Sequence, residues 1–283
     1  MKVALVTASS AGLGATIAKH LVQHMRVVIN YSSTPDRANV VLAELSSLIQ
    51  YHGGGDETSQ GADGTNSPPR SHAIRADLSQ RSEIQRLVSE TVAVMGRLDV
   101  VVSNGGWTKI RKFSDLDDNV EEDDWDRCFN INVKSHLYLF HAAKEHLSAT
   151  DGSFVTTASV AGVKPSGSSL PYAVTKAAQI YLVKCLASIS GPRIRVNSVS
   201  PGILMTVRIS SAQQRSAATE LTIRNLQDWG RQFPEDHLNK AKDATILKRF
   251  ASLDDVAQQV VILATSTSMT GVNVVIDSGF SIL

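Results

Sequence analysis

Seven short runs rich in β-branched residues punctuate the chain: "KVALVT" (2–7), "RVVIN" (26–30), "SHAIR" (71–75), "LDVVVS" (98–103), "SFVTTAS" (153–159), "RIRVNSV" (193–199) and "VNVVID" (272–277). Several are continuous Val/Ile stretches rather than apolar–polar alternations, the pattern of strands covered by helices on both faces. The segments between them, such as "EIQRLVSETVAVMG" and "DDVAQQVVILAT", carry helical patterning. This alternation predicts an α/β fold, a doubly wound parallel sheet of seven strands with helices on both faces. A chain of 283 residues suits one large domain better than two small ones, so a single domain over 1–283 is expected.

Two stretches break the rhythm. Residues 52–70 are rich in Gly, Ser and Pro with almost no apolar content, which predicts a flexible surface insertion. Residues 203–245 are polar and partly helical, in the place of a substrate lid. The acidic run "DLDDNVEEDDWD" (115–126) is either a partner-binding patch or a solvated helix start; carboxylates near a helix N-terminus suit its dipole, which favours the second reading. His20 and His24 have metal-like spacing but no third ligand, so no metal site is expected, and His136, His141 and His146 step by five, off any common face. The net charge of +1 argues for neither nucleic acid nor an anionic membrane. Two cysteines, Cys128 and Cys185, imply a reducing compartment without a disulfide framework. With no signal peptide before the strand at Lys2 and no membrane-length apolar run, the expectation is a soluble cytoplasmic protein.

The first strand runs directly into "TASSAGLGATIAKHL", placing Gly12 and Gly14 where a strand turns into a helix. Glycines there let the backbone approach a pyrophosphate, and the helix N-terminus offers free N–H donors; an ordinary Gly-rich turn is the alternative. "TASSAGLG" resembles the T-G-x-x-x-G-x-G cofactor loop of the short-chain dehydrogenases/reductases, and the resemblance continues along nearly the whole chain. "ADL" (76–78), "SNGG" (103–106), "NINVKS", "TTASVAG", "YAVTK" and "SPGILMT" follow in the family's order, and the chain resembles its fungal-type members such as ketoacyl and hydroxynaphthalene reductases. The resemblance implies a Rossmann-type fold and a nicotinamide cofactor. That cofactor would lie against Thr7, Ser9, Ser10, Gly12, Leu13 and Gly14; Asn30, Tyr31 and Ser32; Asp77 and Leu78; Asn104 and Gly105; Tyr172 and Lys176; and Pro201, Gly202, Leu204 and Thr206. Ala8 departs from the motif's first glycine; alanine fits there if φ stays below zero, and at most a modest effect on cofactor affinity is expected. After the second strand, "INYSST" carries no acidic side chain to repel a 2′-phosphate, and Arg37 lies close in sequence, so NADP is preferred and NAD is the alternative.

Tyr172 and Lys176 are four apart, on one helix face. A lysine ammonium one turn away favours the phenolate and is expected to lower the tyrosine pKa, as would an oxidised nicotinamide. Tyr172 then serves as general acid in carbonyl reduction and general base in alcohol oxidation. By the resemblance, Ser159 bonds the substrate oxygen, Lys176 also grips the nicotinamide ribose, and Asn132 holds a water that relays protons. The intact set Asn132, Ser159, Tyr172 and Lys176 points to an NADP-dependent oxidoreductase acting on a small carbonyl or secondary alcohol. A non-redox lyase or cyclase and a cofactor-binding regulator on the same scaffold are the alternatives. Trp229 and Phe233 are either an apolar cover over substrate or a packed helix stripe, and Trp107 is a further candidate pocket residue. Residues 207–227 are either a lid extension or a translated intron. Members of this family commonly form tetramers through two long helices, here 131–147 and 173–190, so a homo-oligomer, dimer or tetramer, is expected.

Overall fold

A computed structural model describes residues 1–52, 68–205 and 235–283. Most of the insertion at 52–70 lies outside the described residues, as do Thr206, residues 207–227, Trp229 and Phe233. The strands are β1 (Val3–Val6), β2 (Arg26–Tyr31), β3 (Ser71–Arg75), β4 (Val100–Ser103), β5 (Ser153–Thr157), β6 (Arg195–Pro201) and β7 (Asn273–Ile276). They form one seven-stranded sheet in the order β3-β2-β1-β4-β5-β6-β7, and every neighbouring pair is parallel. Leu5 of β1 stands in register with Val28 on one side and Val101 on the other. β1 and β4 are buried at every position, which is why their sequences are unbroken apolar runs.

The helices are α1 (Gly12–Leu21), α2 (Pro35–His52), α3 (Arg81–Met95), α4 (Glu122–Phe129), α5 (Ser135–Ala149), α6 (Leu170–Ser190), α7 (Glu235–Asp243) and α8 (Leu253–Thr265). Ile17, Leu21, Leu45, Val256 and Val260 from α1, α2 and α8 join one hydrophobic core. Ile84, Leu87, Leu139, Phe140 and Val183 from α3, α5 and α6 join a second. The sheet lies between these layers. Side-chain caps start two of the helices: Ser169 accepts from Tyr172 N at α6, and Ser252 accepts from Asp255 N at α8. The chain leaves β1 and β4 toward different neighbours, so a crevice opens at the carboxyl ends of these strands.

One expectation needs correction. The helix anticipated at 131–147 is not uniform: residues Asn130–Lys134 form a turn of π-helix between α4 and α5. Tertiary contacts impose it, because Asn132 bonds both the loop after β4 and α6, as described below. The acidic run also does more than face water. Glu122, Asp123 and Asp124 occupy the first turn of α4, but Asp124 and Asp118 both pair with Arg111, at 2.7 and 3.2 Å. Among the described residues no helix is long and apolar enough to cross a membrane.

Candidate active site

The turn from β1 into α1 builds one end of the site. Thr7 and Ser9 are fully buried and bonded inward: Thr7 Oγ1 accepts from Asn104 N at 2.9 Å, and Ser9 Oγ donates to Val6 O at 2.6 Å while accepting from Asn30 N. Ala11 leads into α1 without a side-chain cap, so the N–H groups of the first turn, at Gly12 and Leu13, can serve an anion. A Cβ on Gly14 would lie 2.4 Å from Ala8 O and 2.8 Å from Asn104 Nδ2, so only glycine permits this close approach of helix and loop. Ser10 lies half-buried beside it. Ala8 corrects the expectation: its φ is +48°, in the left-handed region, where the family's glycine costs less than alanine.

Asn30 also departs from its expected role. It is 1% exposed; its Oδ1 accepts from Ala8 N at 3.0 Å, and its Nδ2 donates to the carbonyls of Tyr31, Ile74 and Ala76. The amide ties β1, β2 and β3 together and is not free to bond a cofactor phosphate. Tyr31 is half-buried and Ser32 exposed at the end of β2. Arg75 at the end of β3 donates from Nε to Ser32 O at 3.0 Å, bringing a cation to this rim. Its strand register, Tyr31 opposite Arg75, was available only from the sheet. Asp77 is exposed and accepts from Ser79 N at 2.9 Å, while Leu78 lies over Gly105, where an added Cβ would be 2.6 Å from its Cδ1. Asn104 donates to Ala8 O at 3.3 Å and accepts from Thr157 Oγ1 at 3.0 Å, linking the ends of β1, β4 and β5.

A cavity of about 200 Å³ opens at these strand ends, lined among others by Ala8, Leu13, Ser159, Tyr172, Lys176 and Gly202. Its volume is several times that of a water, roughly 30 Å³ in the liquid, so it is no packing flaw. Asn104, Pro201 and Leu204 border it, so it draws together five of the segments singled out in the sequence. Trp107 packs instead with Cys128, Ala161, Tyr172 and Ala173 behind the site.

Ser159 begins the turn after β5, its Oγ accepting from Ala161 N at 3.2 Å, and its hydroxyl near Tyr172 favours the phenolate. Burial acts the other way and wins, pushing the Tyr172 phenol up to about 12. Lys176 is 2% exposed, and burial pushes its ammonium down to about 7. Nζ donates to Thr157 O at 3.0 Å and to Gln179 Oε1 at 2.9 Å, and lies 5.7 Å from the Tyr172 ring centroid. The lowered tyrosine pKa expected from the Tyr–Lys spacing is therefore not found, because burial dominates both groups. Asn132 is fully buried: its Oδ1 accepts from Trp107 N at 2.7 Å, and its Nδ2 donates to Trp107 O and Thr175 Oγ1. Gln179 and Thr157 hold Lys176 and were not picked out in the sequence. Gln179 stands three residues after Lys176 on the same helix face, a signal that spacing alone offered.

The other singled-out residues lie apart. His20 bonds Asp254 at 3.0 Å between α1 and α8. His136 is buried against Ser103, 2.6 Å away, and desolvation pushes it down to about 3. Among the described residues no cluster of potential metal ligands occurs.

Sheet order and crevice place the protein among the dinucleotide-binding α/β folds. The profile of the short chain dehydrogenases matches residues 2–217. The Streptomyces violaceoruber protein named "Granaticin polyketide synthase putative ketoacyl reductase 2" is 30% identical over 283 residues, covering 99% of this chain and 96% of its own. Elsinochrome reductase 1 of Elsinoe fawcettii is 35% identical over 208 residues, 72% of this chain and 69% of its own. A short chain dehydrogenase of Burkholderia cenocepacia, solved in complex with NADP, is 28% identical, covers 100% of this chain and 98% of its own, and superposes with a TM-score of 0.76. The chain belongs to the short-chain dehydrogenase/reductase family. It is an oxidoreductase of that class, acting between a CH–OH group and a carbonyl with NAD(P).

Proposed function

We propose that the protein is an NADP-dependent reductase that interconverts a ketone and a secondary alcohol, with Tyr172 as the general acid and base. The observation that carries this reading is the buried Tyr172, brought together with Ser159 and Lys176 on the wall of one cavity. The cofactor fits the residues present: the uncapped first turn of α1 suits a pyrophosphate, and the close approach at Gly14 keeps the loop compact. When bound, NADPH supplies the hydride.

Ser159 orients the substrate carbonyl and bonds the oxygen as negative charge grows on it. Tyr172 gives its hydroxyl proton to that oxygen. A phenol pushed up to about 12 rests in its protonated form at neutral pH, which suits the reductive direction. The Lys176 ammonium lies near enough to stabilise the phenolate left behind. Because the Asn132 side chain is committed to Trp107 and Thr175, its contribution to a proton relay rests on its main chain in the widened helical turn.

NADP is favoured over NAD by Arg75 at the end of β3, beside Ser32, and by the absence of an acidic side chain in Asn30–Ser33. The relative solved with NADP supports the same choice. Relatives named as ketoacyl and elsinochrome reductases favour a carbonyl substrate. The test is consumption of NADPH over a panel of ketones, quinones and reducible polyphenols. Turnover by the wild type that falls at least about a hundredfold in Tyr172→Phe is expected. Tight cofactor binding with no turnover on any member would overturn the reading in favour of a regulator, lyase or cyclase.

A further inference from the structure

The segment after β7 turns back into the cavity wall. Asp277 follows that strand, and its carboxylate accepts from Gly279 N at 2.9 Å and Ser281 N at 2.7 Å. These bonds fold residues 277–281 into a tight turn. Gly279 takes φ +81°, and a Cβ there would meet Ile246 Cβ at 2.9 Å, so the turn is built for glycine. Leu247 N donates to Ser278 O at 3.1 Å, fastening the turn to the segment after α7. The result is that Phe280 lines the cavity shared by Ser159, Tyr172 and Lys176.

A second element holds the same residue. Lys164, in the loop after β5, sets its Nζ 4.7 Å from the centroid of the Phe280 ring and donates to Phe280 O at 3.2 Å. One ammonium thus fixes both the ring and the main chain of Phe280. The loop carrying Lys164 continues into Ser166 and Gly167, which also line the cavity. Val160, Ile203, Leu204 and Phe250 add further apolar lining. The nicotinamide machinery described above makes no use of Phe280 or Lys164.

We propose that Phe280, clamped by Lys164, is a specificity-determining residue that makes the cavity select flat, apolar aryl ketones over small aliphatic ones. The assignment rests on the carbonyl-reductase reading for where the reacting oxygen lies, but the aryl contact itself needs no turnover. A ring offers an aryl substrate offset-stacked or edge contacts beyond simple area burial. A ring already fixed at both its face and its backbone loses little freedom when the substrate arrives, so more of the contact appears as affinity.

The experiment is calorimetric binding of 1-tetralone, a bicyclic aryl ketone, to the full-length protein saturated with oxidised cofactor, where no hydride is available. Phe280→Ala is expected to raise the Kd about tenfold or more, the range for a truncated apolar pocket contact. Phe280→Trp, which keeps an aromatic surface, is expected to stay within about threefold of wild type, and Lys164→Met to fall between them. Cyclohexanone competition in the same samples reports the preference for the aryl ketone, which is expected to fall with Phe280→Ala. A Kd within about twofold of wild type in Phe280→Ala, or no binding of 1-tetralone to the wild type, overturns the proposal. If the Kd responds as expected while the NADPH panel shows no turnover, the catalytic reading fails and the aryl subsite stands.

Discussion

Ala8 shows what a single backbone angle costs. At φ +48° it sits in a left-handed conformation that disfavours a Cβ by about 1–2 kcal/mol. Glycine would relieve this but would widen the unfolded ensemble, returning about 0.4–1 kcal/mol. Ala8→Gly is therefore expected to stabilise the protein by about 0.5–1 kcal/mol, read as a higher urea midpoint with an unchanged slope. A lower midpoint would mean that contacts of the Ala8 methyl outweigh the strain. Lys176 gives a pH signature. Its ordinary value of 10.5 is pushed down to about 7 by burial. Below that pH both folded and unfolded chains hold the proton, and the cost of burying the ammonium is fully present. From about pH 7 to 10 the unfolded chain keeps a proton that the folded protein has lost, so stability rises with pH. Lys176→Met should flatten that rise in urea titrations of the cofactor-free protein, and parallel pH profiles would show that Lys176 titrates normally when folded. Arg75 tests the cofactor rim in place of Asn30, whose buried amide already serves three strands. Arg75→Ala should lower the preference for NADPH over NADH by about tenfold, the effect of one charge-assisted contact. An unchanged ratio of dissociation constants would put the 2′-phosphate elsewhere.

At the scale of elements, the loop after β4 and the helix bearing Tyr172 are locked together. Asn119 is 3% exposed and makes three bonds: its Oδ1 accepts from Leu170 N at 2.8 Å, and its Nδ2 donates to Lys112 O at 3.0 Å and Asp115 O at 2.7 Å. It thus satisfies a free N–H at the start of α6 from 51 residues away. Arg111 N adds a bond to Ser168 O, and its guanidinium grips Asp118 and Asp124. Asn119→Ala is expected to cost about 2 kcal/mol of stability by leaving buried partners unpaired, measured by chemical denaturation. A loss under about 0.5 kcal/mol would show that water replaces the amide. The elements themselves were largely legible. Buried parallel strands write unbroken Val/Ile runs, and all seven lie where those runs fall, with ends shifted by a residue or two. What could not be read depends on distant partners. The π-turn at Asn130–Lys134 answers to Trp107 and Thr175, the amide of Asn30 to β3, and the clamp on α6 to Asn119. Motif spacing located Tyr172, Lys176 and Ser159, but the direction of the tyrosine shift needed the burial that only packing supplies.

For the whole molecule, the remaining question is what covers the outer face of α6. Tyr181 is 68% exposed and Ile189 76%, eight residues apart on one side of the helix, with the exposed Cys185 between them. Val174, 39% exposed, continues the stripe, and Leu137 of α5 is 38% exposed. Single exposed apolar side chains are ordinary, but a stripe over four turns of a helix otherwise packed on the core asks for a partner surface. The net charge of +1 adds little long-range repulsion between copies. We expect the protein to self-associate through α5 and α6, in an isologous contact where each copy presents the same face. Sedimentation velocity should find a dimer or tetramer for the wild type. Tyr181→Glu combined with Ile189→Glu should shift it toward monomer, because the contact would then bury unpaired carboxylates, at a cost of several kcal/mol. The two positions are surface residues of a helix anchored by Val183 and Leu186, so the monomer should keep its circular dichroism spectrum. A wild type that sediments as a monomer, or a double variant that keeps the wild-type assembly, would show that this face serves something other than a second copy.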